Sequence, residues 1–311
     1  MIFWRIHNNK IDVAGHTERL GFDKTNPMYI PDDYLLDKEF VIMRTCHGIG
    51  DWCLVSSLPR LLKEKYPKSK IYIPSSTMLK NMFGSMLNNW GYGTYDCSKI
   101  TQDIFRNNPY VDDFIDEYYG EIFHDHYRIY DKSNDCIPLS EQILDFWQFK
   151  PEEYLDSTPD IYFSEEEIES GDRLINKYFP SDVKFGYIGL SSTYGETADT
   201  TSLRDKIKEY DNLKWFYYGE QPIEETDLNF LQNTVPIKPL NLSLREQMYI
   251  RTKAEINIGN ETGMTLWCAK YSKTYVLGNK FYGPVHGPNL NGKPRKNPFQ
   301  TGNFVNEITY L

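Results

Sequence analysis

Asp51 closes the run Thr-Cys-His-Gly-Ile-Gly-Asp (45–51), and Glu261 opens the run Glu-Thr-Gly-Met (261–264). Both carboxylates stand where a short apolar segment ends and a helical pattern begins. A loop of this kind leaves backbone N–H groups and the positive end of a helix dipole at the edge of a sheet, where anions and phosphates bind. The backbone N–H groups of Thr262, Gly263 and Met264 point at an anion in that setting, Gly263 lets the ligand approach closely, and Glu261 can accept hydrogen bonds from a polyol such as a ribose or hexose. Ser191, Ser192 and Thr193, after the apolar run that begins at Phe185, can add hydroxyl donors to phosphates. On the glycine-loop side, His47 can touch a bound ligand, and Gly48 and Gly50 allow a sharp turn and a close backbone. A purely structural reading stands beside each of these: Asp51 and Glu261 as helix caps at the favourable end of a dipole, the glycines as a tight turn, His47 and the serines as loop residues.

The elements that must hold these residues follow from periodicity. Val41 to Thr45 reads as a buried strand, Asp51 as the N-cap of the next helix, and Trp52, Val55, Leu58, Leu61 and Leu62 as that helix's apolar stripe. Pro59 predicts a kink or break within it, and Ile71 to Ile73 is the next strand, so 40–74 forms a βαβ unit. Helices are expected over 77–86 and 140–149, with a turn and short strand over 108–115. Ser164 followed by Glu167 is a capping box opening a helix to about Phe179. Strands over 185–190, 213–218, 255–258 and 274–277 then alternate with helices over 203–210, 244–252 and 262–271. Such alternation means parallel sheets, and the fold class is α/β with two Rossmann-like halves. The pattern loosens near 150–160, which divides the chain into an extension (1–39, irregular, with a strand or hairpin at Ile2 to Asn8), a first domain (40–160) and a second (161–311).

At 311 residues, with 40% hydrophobic, 15% aromatic and 25% charged residues, the chain is globular and long enough for two cores. A net charge of −10 argues against a broad grip on duplex nucleic acid. Five scattered cysteines with no Cys-x-x-Cys spacing argue against a disulfide framework or zinc site, and together with the absence of a signal peptide or membrane span in the sequence they predict a cytoplasmic protein. His124 and His126 have the spacing of metal ligands on a strand, but no third ligand is placed by sequence and no metal is expected there. His7 and His16 read as surface residues.

The stretch Gly-Ile-Gly-Asp (48–51) with Leu-Pro-Arg-Leu-Leu-Lys (58–63) resembles the start of the glycosyltransferase family 9 enzymes, the heptosyltransferase family. Pro-Leu-Asn-Leu-Ser-Leu-Arg-Glu-Gln (239–247), running through Glu261-Thr262-Gly263 to Leu277-Gly278, resembles that family's donor-binding half, and Phe216 to Gly219 with Glu224 resembles the strand and acidic residue between. The resemblance implies a GT-B fold, two Rossmann-like domains with parallel sheets facing a central cleft, and inverting transfer of a sugar from a nucleoside-diphosphate sugar to a glycan or other hydroxyl acceptor. It implies no metal and no cofactor, Asp51 as catalytic base, and Glu261, Thr262 and Gly263 around the donor. This chain departs from the family with Glu261 in place of Asp and Leu266 in place of His, and Arg204 or Lys206 would have to stand in for the family's basic residue at the diphosphate. Those departures keep a catalytically inactive sugar-nucleotide or glycan-binding module in view. A dinucleotide-dependent oxidoreductase is disfavoured by the missing third glycine and by Pro74-Ser75-Ser76 where an acidic residue would end the second strand.

Overall fold

Phe40, Val41, Ile42 and Met43 are all wholly buried, the fate of an uninterrupted apolar run at the centre of a parallel sheet. In the computed structural model the described residues are 2–5, 35–44, 48–84, 95–118, 121–125, 144, 147–150, 158–190, 200–219, 234–237, 240–260, 263–277 and 308–310. The chain divides into two compact units, Met1–Tyr162 with Pro298–Asn303, and Phe163–Asn297 with Phe304–Leu311.

The first unit's sheet comprises β1 (Ile2–Arg5), β2 (Glu39–Arg44), β3 (Lys70–Pro74), β4 (Asp113–Ile115) and β5 (Glu121–Asp125), in the order β1-β5-β2-β3-β4. The last four are mutually parallel, and β1 pairs antiparallel with β5, so the strand expected at Ile2 to Asn8 is formed over residues 2–5 and belongs to the sheet. Two helices follow β2, Ile49–Leu54 and Leu58–Lys65. The break expected from Pro59 falls just ahead of it, at Val55–Ser57, leaving the proline in the first turn of the second helix, where its missing N–H costs nothing. Trp52 packs edge-on against Phe105 of the helix Ile100–Phe105, an element the periodicity did not show. The expected 77–86 helix spans Ser76–Phe83 and is capped by Ser75, whose Oγ accepts from the Met78 amide at 3.1 Å. Most of the expected 140–149 helix lies outside the described residues; Trp147 and Gln148 are in a turn.

The second unit's sheet is parallel throughout: β6 (Phe185–Gly189), β7 (Lys214–Tyr218), β8 (Thr234–Pro236), β9 (Ile256–Asn260), β10 (Lys273–Leu277) and β11 (Ile308–Tyr310), ordered β11-β10-β9-β6-β7-β8. One face is covered by Leu203 and Ile207 of the helix Thr200–Lys208, packed on Ile188, Trp215, Ile258 and Tyr275. The other is covered by the helices Glu165–Tyr178 and Leu244–Lys253, with Ile175, Tyr249 and Ile250 packed on Phe185, Tyr187 and Phe216. The capping box is formed: Glu167 N–H donates to Ser164 Oγ (3.2 Å) and Ser164 N–H donates to Glu167 Oε2 (2.9 Å). The same Glu167 receives Arg245 Nη2 at 2.7 Å, tying the two helices together. Residues 268–270 of the expected 262–271 helix tighten into a 3₁₀ turn.

Candidate functional site

Counted in chain order, the second unit's strands run 3-2-1-4-5-6 from β8 to β11, so its order reverses between β6 and β9. Counted from β2, the parallel strands of the first unit run 3-2-1-4 from β4 to β5, and the order reverses between β2 and β5. In open parallel sheets the crevice at the carboxyl ends of the two strands flanking such a reversal is where ligands bind. The carboxyl end of β2 leads into the Gly48–Asp51 stretch, that of β6 into Ser191 and Ser192, and that of β9 into Glu261, Thr262 and Gly263. Sequence and topology thus bring the candidate residues to two strand reversals.

At the first reversal, Gly48 is the N-cap, with an ordinary extended backbone (φ −70°, ψ 136°), and its carbonyl accepts from Trp52 N–H at 3.2 Å. Asp51 is therefore the third residue of the helix and not its cap, a correction to the sequence reading: the helix begins as soon as the Gly48 carbonyl finds its partner. An acidic residue in that first turn is favoured by the dipole. Gly50 is helical, and His47 lies outside the described residues. The backbone of His124 lies in β5, in register with Met43, and Asp125 is in register with Arg44; His126 is outside the described residues.

At the second reversal, Asn260 ends β9 and is buried; its Nδ2 donates to the Leu190 carbonyl at 3.1 Å, joining the ends of β9 and β6. Both strands carry a glycine at this end. A Cβ on Gly259 would come within 2.6 Å of the Gly189 carbonyl oxygen and of Thr265 Oγ1, so only glycine permits this approach. Gly263 and Met264 open the helix Gly263–Trp267. Met264's carbonyl accepts from Arg251 Nη1 at 3.1 Å. Glu261, Thr262, Ser191 and Ser192 lie outside the described residues. Arg204 is partly exposed on the helix Thr200–Lys208. Lys206, on the same helix, pairs with Glu209 at 2.7 Å and lies 4.6 Å above the Tyr275 ring on β10.

Sequence reasoning missed the polar network under this end of the sheet. Arg251 is buried, its guanidinium 4.1 Å over the Tyr187 ring. Asn257, wholly buried in β9, donates to the Arg251 carbonyl at 3.1 Å and also bonds Ser272 Oγ. Burial pushes the Cys268 thiol up to about 11 against the opposing pull of Arg251, and it pushes the Tyr187 hydroxyl up as well. The signal was available: Arg251 lies on the same helical stripe as Met248, and Asn257 alternates with Ile256 and Ile258 in a strand covered on both faces.

No family model matches the sequence, and no curated protein matches it. Among solved structures, the chain is similar to the glycosyl transferase family 9 protein of Veillonella parvula DSM 2008, with a TM-score of 0.55 and 11% identity over 92% of this chain and 88% of that one. It is also similar to the ADP-heptose lps heptosyltransferase II of E. coli (TM-score 0.45, 11% identity, 88% of this chain and 92% of that one). For the E. coli heptosyltransferase WaaC with ADP the TM-score is 0.41 and the identity 8%, over 88% of this chain and 93% of that one. At 11% identity the first of these likenesses is one of fold: the chain has the α/β architecture of GT-B glycosyltransferases, and the resemblance read from the glycine loop and the Glu-Thr-Gly turn has its counterpart at that level.

Proposed function

We propose that this protein is an inverting, metal-independent glycosyltransferase that moves a sugar from a nucleoside-diphosphate sugar to a glycan or other hydroxyl acceptor. The observation that carries the reading is the pair of strand reversals, each with one of the two candidate carboxylates on the segment leaving it. Inverting displacement at an anomeric carbon needs a base on the acceptor hydroxyl and stabilisation of the departing diphosphate. Asp51, early in a short helix, serves as the base. The turn Glu261 to Met264, joined by Ser191 and Ser192, holds the donor, with Glu261 on a ribose or sugar hydroxyl and the backbone N–H groups on the diphosphate. His47, Gly48 and Gly50 border the acceptor. The fold likeness to a glycosyl transferase family 9 protein supports the class of reaction. Among the described residues no helix is long and apolar enough to cross a membrane, and Cys53, Cys97 and Cys268 are free buried thiols, which suits work in the reducing cytoplasm.

The test is a thermal-shift screen of ADP-, UDP-, GDP- and dTDP-sugars, followed by turnover of whichever stabilises the protein. Stabilisation with nucleotide release and inversion at the anomeric carbon is the expected result, unaffected by EDTA. Activity abolished by EDTA and restored by manganese would overturn the metal-free mechanism and bring His124 and His126 back as ligands. Stabilisation with no turnover under any acceptor would favour the second reading, a sugar-nucleotide-binding module, for which Leu266 in place of the family's His already speaks.

A further inference from the structure

Arg251 is 3% exposed, and no carboxylate among the described residues pairs with it. Its Nη1 donates to the Met264 carbonyl at 3.1 Å and lies 3.8 Å from Cys268 Sγ, its guanidinium covers the Tyr187 ring, and its Nε has no hydrogen-bond partner among the described residues. Its Nη2 rests on the last residue of β6, where a Cβ on Gly189 would stand 2.4 Å away. A guanidinium taken out of water is costly unless an anion answers it, and a carbonyl, a ring face and a thiol answer it only in part. Cys268 does not supply the anion, because burial keeps its proton on.

We propose that Arg251 is the buried countercharge of the donor's diphosphate, acting on an anion held at the carboxyl ends of β6 and β9 from behind one layer of backbone. The inference rests on the donor site proposed above and adds to it a positive charge beyond those of Arg204 and Lys206. Arg251 does not touch the ligand. It works through a low-dielectric interior where its field is little screened, and it also fixes the first turn of the 263–267 helix through Met264.

The experiment compares binding of inorganic pyrophosphate, ADP and UDP with that of adenosine and uridine, in wild type, Arg251→Met and Arg251→Lys. Arg251→Met is expected to weaken pyrophosphate and the diphosphates by about tenfold while leaving the nucleosides unchanged, and Arg251→Lys to recover most of the loss. Equal losses for nucleosides and diphosphates, or recovery by neither charge nor shape, would make Arg251 a packing residue and overturn the proposal. Should Arg251→Met fail to fold, salt titration of wild type decides: a buried countercharge predicts pyrophosphate affinity that persists at high salt, and a steep decline would assign the binding to surface cations. Wild type that binds none of these probes would instead defeat the donor site itself.

Discussion

At the carboxyl end of β2 the chain passes Gly48 and carries Asp51 into the first turn of a six-residue helix; at the carboxyl end of β9 it passes Glu261 into a helix whose second residue, Met264, is held by a buried guanidinium. Both ends flank a reversal of strand order, yet their charge differs. In the first unit the buried Arg44 stands in register with an acidic residue, Asp125, whereas in the second unit Arg251 meets a carbonyl, a thiol and a ring. The same topology therefore frames the two different tasks proposed above, proton removal at one end and anion retention at the other. What separates them is which buried side chains lie behind the strands.

The largest effect expected from breaking this contrast is on turnover. Asp51→Asn keeps shape and removes basicity, so kcat should fall by about two to four orders of magnitude with donor affinity little changed. Steady-state kinetics beside equilibrium donor binding would show it, and near-normal kcat would assign the base elsewhere. Next comes Gly259→Ala. Its Cβ meets a backbone carbonyl at 2.6 Å, so β6 and β9 must part where the donor is proposed to sit. A loss of about 3 kcal/mol in chemical denaturation, together with weakened nucleotide binding, is expected.

The ion pairs of the two units sharpen the comparison further. Arg60 donates to Asp160 at 2.9 Å, and Asp160 is 3% exposed, while the Glu167 that pairs with Arg245 is 24% exposed and keeps its bond to Ser164. Arg60→Met should therefore cost about 3 kcal/mol and Arg245→Met about 1 kcal/mol, because only the first strands a carboxylate away from water. Equal costs in urea melts would show that burial of the partner is not what decides. The smallest effect is on pH. The Cys268 thiol is raised in the folded state, so its contribution is complete below the unfolded thiol's pKa and is lost as pH climbs toward about 11. Stability of the second unit should drop by up to about 2 kcal/mol over that window, and Cys268→Ala should flatten the slope.

Local signals carried most of the architecture. The Ser164–Glu167 box, the break ahead of Pro59 and four of the six strands of the second unit, β6, β7, β9 and β10, follow from patterns within a dozen residues, whereas the three-residue strands β8 and β11 do not. The elements that escaped depend on distant partners or on polar groups in apolar places. The strand expected at Ile2 to Asn8 is formed over 2–5, but its partner lies in β5, more than a hundred residues on, and nothing near it in sequence announces that pairing. Arg251 shares a helical stripe with Met248, a signal of burial that its charge outweighs in a sequence reading, because arginines are mostly exposed. Asp51 was placed one turn too early because an aspartate before an apolar stripe suits a cap, and the backbone of Gly48 took that role.

The pairing of Ile2 with His124 and of Arg5 with Glu121 also sets an order of events during synthesis. A ribosome adding roughly 5 to 20 residues per second leaves Ile-Phe-Trp at positions 2–4 without its sheet partner for roughly 6 to 24 seconds. For that interval the nascent chain presents an apolar, strand-forming tripeptide with open N–H and C=O groups, a natural landing place for a chaperone or for the same segment of a neighbouring nascent chain. Deleting residues 2–5 would remove that hazard from the polysome and hand the exposed edge to β5 in the finished protein.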